Sequence, residues 1–67
     1  MNYLITDREQ RNGAERVSMR QVAAPSLQDA IDEALIGLDP HADYTVCSGG
    51  GHAAIAAPAH VIEIDVT

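Results

Sequence analysis

Four side chains in this sequence have the chemistry of nucleophiles, bases or metal ligands: Cys47, His41, His52 and His60. A thiol and an imidazole can form a nucleophile and base pair, but that chemistry needs an orienting group and an enclosed pocket. No orienting residue is identifiable from the sequence, so Cys47 is expected to be buried in a strand and inert. Zinc is bound through closely spaced pairs of the C-x₂₋₄-C or H-x₃₋₅-H kind, and none occurs here. The Ser48-Gly-Gly-Gly51-His52 run could turn backbone N–H groups toward a phosphate. It lacks the lysine and hydroxyl of a phosphate loop and the G-x-G-x-x-G spacing, so it is read as a hairpin turn. Tyr3 and Tyr44 are the only aromatic residues, too few for a base-stacking platform, and are assigned to the core or a sheet face. The sequence therefore predicts no catalytic residue, no metal ligand and no cofactor, and a protein that is not an enzyme.

What remains is charge. Ten Asp and Glu face four arginines and no lysine, for a formal charge of −6 and a pI near 4.6. That balance argues against binding a phosphate backbone or an anionic membrane directly, and favours a basic partner. It is also unevenly placed. Arg8, Arg11, Arg16 and Arg20 all precede Pro25, where Asp7, Glu9 and Glu15 nearly balance them. Beyond Pro25 come Asp29, Asp32, Glu33, Asp39, Asp43, Glu63 and Asp65 with no Lys or Arg. Such a stretch serves solubility in many proteins. The sharper reading is a recognition surface: carboxylates on a rigid helix and strand, spaced like phosphates, suit a basic nucleic-acid channel.

The elements that must carry these carboxylates can be read from pattern. Asn2–Thr6 is β-branched and aromatic, and Arg16–Ala23 alternates Val17, Met19 and Gln21 against Arg16, Ser18 and Arg20, so both are expected strands. The polar segment 7–15, with Asn12-Gly13, predicts a β-hairpin with a long tip. Ser26 is an expected N-cap with Asp29 three residues on. Leu27, Ile31, Ala34, Leu35 and Leu38 recur at helical spacing, leaving Asp29, Asp32 and Glu33 on the other face. A left-handed Gly37 and the Asp39-Pro40 pair predict the helix end near Ile36. Tyr44–Cys47 reads as a strand. Residues 52–57 suit either a strand or a short helix by propensity, and the triglycine before them favours a hairpin. In the last strand Ile62, Ile64 and Val66 point one way and Val61, Glu63 and Asp65 the other. The fold class is α+β: a two-layer ββαβββ domain over residues 1–67, with one amphipathic helix packed on an antiparallel sheet and the other sheet face at least partly exposed. With 67 residues there is room for one small domain,. A single cysteine leaves no disulfide framework, and neither a signal peptide nor a membrane span is evident, so a reducing cytoplasm is the expected compartment. Abundant Ala, Gly and Arg without Lys or Phe fit a GC-rich coding sequence of a bacterium or its phage, which makes that compartment the bacterial host cytoplasm.

This order of strands, with Val22-Ala-Ala-Pro-Ser-Leu-Gln-Asp-Ala-Ile-Asp-Glu-Ala34 leading into the helix, resembles the layout of small phage-encoded anti-CRISPR proteins. The resemblance implies a monomeric inhibitor of a type I CRISPR surveillance complex, I-C among them. Acidic members of that group are similar in acting as nucleic-acid mimics, and no residue is carried over from them. The charge distribution of this sequence supplies the candidate surface, Asp29, Asp32, Glu33, Asp39, Asp43, Glu63 and Asp65, which would engage a basic subunit and block target DNA binding. The Pro-Ser-Leu-Gln-Asp-Ala-Ile-Asp-Glu-Ala run is also similar to the helix of HicB-type antitoxins, which neutralise a basic RNase toxin. This chain departs from them in having two strands before the helix and no C-terminal DNA-binding segment.

Overall fold

A computed structural model describes residues 1–38 and 41–67. The chain has an α+β fold: β1 (Asn2–Arg11), β2 (Ala14–Ala23), α1 (Leu27–Leu35), β3 (Thr45–Gly49), β4 (His52–Ala57) and β5 (His60–Val66). The strands form one antiparallel sheet in the order β2-β1-β5-β4-β3. Strand pairing runs right up to the turns. Arg11 pairs with Ala14 across Asn12-Gly13, so the expected long tip is instead ladder, and residues 7–11 and 14–15, all polar but Ala14, belong to β1 and β2. Asn12 and Gly13 both have positive φ, as do Gly50 and Gly51 in the β3–β4 turn. That is the backbone a two-residue hairpin requires, and Asn and Gly supply it at little steric cost. The β3–β4 hairpin also resolves residues 52–57 as a strand, and β3 begins one residue later than Tyr44 and runs to Gly49.

Ser26 caps α1 as its type predicts: its Oγ accepts from the Asp29 amide at 3.3 Å and donates to the Asp29 carboxylate at 2.9 Å. The helix does not end on a left-handed glycine. Gly37 keeps an ordinary φ, and the chain closes through tighter bonds from the Ile36, Gly37 and Leu38 amides to the carbonyls of Glu33, Ala34 and Leu35, a common alternative at helix ends. The Asp39-Pro40 stop signal lies outside the described residues.

Alternation decides the two faces of the sheet. Tyr3, Ile5, Ile55, Ile62 and Ile64 point to one side and are almost completely buried under Ala30, Ile31, Ala34 and Leu38, with Leu27 and Leu35 at the margin. The helix rests on β5, β1 and β4 and leaves β3 and most of β2 exposed, with Val22 near the end of β2 partly buried against the core. Alanines at 30, 34 and 53 let helix and sheet approach closely, which a core without Phe or Trp needs in order to fill its volume,. The opposite sheet face is open, with Val17, Met19 and Val61 exposed.

One turn carries visible strain. Ala59 follows Pro58 between the paired residues Ala57 and His60, and it has φ 60°. A Cβ in the left-handed region costs about 1–2 kcal/mol, part of which glycine forfeits by its freer unfolded chain. Ala59→Gly is therefore expected to stabilise the domain by about 0.5–1 kcal/mol, read as a higher urea midpoint with an unchanged slope.

Candidate acidic interface

The seven carboxylates singled out by sequence do not form one surface. Asp29, Asp32 and Glu33 lie exposed on α1, above one face of the sheet, and line a groove of about 620 Å³ whose other wall is Val22, Ala23 and Ala24 at the end of β2. Glu63 and Asp65 alternate away from the buried Ile62 and Ile64, so they stand on the open face of the sheet. Asp43 is exposed just ahead of β3, the strand at the opposite edge from β2. Asp39 lies outside the described residues.

Their electrostatic settings differ as well. Asp29 is held by the Ser26 cap, where the positive end of the helix dipole favours it,. Asp32 accepts from Gln28 Nε2 at 3.0 Å, a bond along the helix that leaves its charge intact. Glu33 has the guanidinium of Arg20 at 4.0 Å, a loose and exposed pair that contributes little to stability,. On the open face Glu63 has Arg8 Nε at 3.8 Å, and Asp65 meets His52 Nδ1 at 2.5 Å. A second histidine–carboxylate pair, His60 Nε2 with Asp7, ties β5 to β1 on the helix side. The division of charge along the sequence is therefore softened in space. Strand order sets β1 beside β5 and β2 beside the helix, so hairpin arginines reach acids more than ten residues away in the chain. Local patterning carries no signal for those pairs, because they depend on the sheet order.

Cys47 is exposed, not buried. It sits on the uncovered edge strand β3, opposite Ala54, with its side chain on the open face. Half-exposed His52 occupies the same face and has Asp65 as a carboxylate partner. No hydrogen bond joins Cys47 to another side chain among the described residues, so the nucleophile and base are not coupled. Tyr3 is a core residue, whereas Tyr44 is half-exposed ahead of β3. No group of three or more His, Cys, Asp or Glu among the described residues is arranged to hold a metal ion. No described helix is long and apolar enough to cross a membrane.

No protein-family model matches the sequence, and comparison with curated proteins and with solved structures gave no match.

Proposed function

We propose that this chain is a non-catalytic inhibitor that seats its helix on the basic, nucleic-acid-binding surface of a protein partner. The observation that carries this reading is the run Asp29, Asp32 and Glu33, exposed on one helix with no base on that helix. Carboxylates fixed on a capped helix lose little conformational freedom on meeting a basic groove, and their field steers the encounter. The layout of strands and helix resembles anti-CRISPR proteins, so the partner proposed is a DNA-reading subunit of a type I surveillance complex. Glu63 and Asp65 belong to a different face and are partly compensated by Arg8 and His52, so they are secondary in this reading.

The test is to titrate the purified protein into type I surveillance complexes, I-C first, following co-elution on size exclusion and target-DNA binding by gel shift. Co-elution with loss of DNA binding, weakening steeply as salt rises, is the expected result. Co-elution with DNA still bound would place the inhibition after target recognition and sink the mimic. No co-elution, with relief of an RNase toxin instead, would favour the HicB-like reading.

A further inference from the structure

We propose that the free edge of β2 is a dimer interface, joining two copies of this chain into a continuous ten-stranded antiparallel sheet. Edge strands in natural proteins are blunted by shortness, proline, bulges or charge. β3, at one edge, is short and runs into glycines. β2, at the other, is ten residues long, contains no proline, and keeps an uninterrupted register with β1 from Ala14 to Ala23; its charges, Glu15, Arg16 and Arg20, restrict which register a partner strand can take,.

The register of the edge can be derived. Met1 and Ala24 exchange backbone bonds in both directions, and bonded pairs alternate along an antiparallel ladder. Val22, Arg20, Ser18, Arg16 and Ala14 therefore bond to β1, while Glu15, Val17, Met19, Gln21 and Ala23 turn their N–H and C=O groups outward. A two-fold axis through Met19 pairs all of these outward groups, from Glu15 against Ala23 to Met19 against itself. It sets Arg20 opposite Ser18 of the second copy and Arg16 opposite its Val22. Moving the axis to Ser18 would oppose Arg16 with Arg20, and moving it to Arg20 would oppose that residue with itself; like charges directly opposite are unfavourable. Moving it to Val17 would leave the outward groups of Gln21 and Ala23 unpaired.

Charge selects the same arrangement. Arg16 is the one arginine with no carboxylate within 4.0 Å among the described residues. Val22, the residue it would face, forms a wall of the groove lined by Asp29, Asp32 and Glu33. Each copy thus places an unpaired guanidinium at the mouth of the other's acidic groove. On the open face the two Met19 side chains, each 65% exposed in the single chain, cover one another. The inference is argued without the proposed function and its test uses this protein alone, although Arg16 of the second copy would compete with a basic partner for the groove beside Asp29, Asp32 and Glu33.

The test is light scattering on size exclusion, with cysteine cross-linking to fix the register. The wild-type chain at about 0.1 mM is expected to run at twice its 7.1 kDa mass,. Met19→Lys sets two ammonium groups across the axis and is expected to weaken association about a hundredfold. Arg16→Glu is expected to weaken it about tenfold. Both side chains are exposed, and an unchanged circular dichroism spectrum with a cooperative melt, matching wild type at concentrations too low for either to associate, would establish that folding is intact. In a Cys47→Ser background, Met19→Cys should cross-link under mild oxidation, because a bonded pair lies about 5.5 Å apart at Cα, within disulfide range. Val17→Cys, four residues out of register with its own copy, should not. A wild-type chain that stays at 7.1 kDa up to about 1 mM would overturn the proposal, as would equal cross-linking at 17 and 19,.

Discussion

Ile55→Ala is expected to leave the domain largely unfolded at room temperature. Ile55 is completely buried on β4, between Val46 on β3 and Ile62 on β5, beneath the helix. Truncating such a side chain costs about 2–5 kcal/mol, from lost transfer energy and from the cavity left behind. A single core in a chain this short rarely supplies more than about 3–5 kcal/mol in total. This core has little to repack with: its large side chains are Tyr3, four isoleucines on the sheet, Ile31 and Leu38, and the rest are alanines that cannot move to fill a void. The contrast is Ile36→Ala, whose side chain is 78% exposed just past the helix and whose loss should change stability by less than about 0.5 kcal/mol. Urea denaturation followed by circular dichroism separates the two. A cooperative Ile55→Ala domain within about 1 kcal/mol of wild type would mean that the helix does not close over β4.

How much of this was legible beforehand divides along a physical line. Local rules hold at Ser26, at Gly50-Gly51 and along β5, and fail at Gly37, where tighter helix-end bonds replace the expected left-handed turn. Ser26 capped its helix, Gly50 and Gly51 made the turn that settles residues 52–57 as a strand, and alternation in β5 placed Ile62 and Ile64 inside with Glu63 and Asp65 outside. The hairpin tip is ordered where the sequence predicts a long loop, because polarity does not imply irregularity. In a strand at or near the sheet edge beyond the reach of the helix, polar residues remain compatible with pairing, and Asn12-Gly13 needs only two residues to reverse the chain,. Cys47 departs from expectation for the opposite reason: an apolar, β-branched neighbourhood reads as core, but β3 lies at the edge of the sheet and is exposed along its length. The carboxylates show the same limit. Sequence places each on its element and face, while the sheet order that separates the helix acids from Glu63 and Asp65, and brings Arg8 and Arg20 toward them, is a property of the whole chain.

That separation makes the second large prediction a comparison between two double variants. A single basic surface can engage the helix side or the open side of the sheet, not both. Asp32→Lys with Glu33→Lys replaces two exposed carboxylates beside the groove by two ammonium groups. It is expected to weaken binding to the proposed partner, a type I surveillance complex, by about a hundredfold or more, since like-charge juxtaposition at an interface costs several kcal/mol. Its cost to folding should be small, because the Gln28 bond and the 4.0 Å Arg20 pair are both exposed,. Glu63→Lys with Asp65→Lys should do the reverse. Binding is expected to change by less than about threefold, while stability falls modestly, by about 1 kcal/mol or less: the Arg8 and His52 pairs are half-exposed like that of Arg20,, but a lysine at 65 stands directly opposite His52 across the ladder,. Affinity measured by fluorescence anisotropy at two salt concentrations, beside urea midpoints for both variants, resolves the pair. Equal losses of affinity in the two would point to a partner that wraps the domain, and undiminished affinity in the helix variant would remove the helix from the interface.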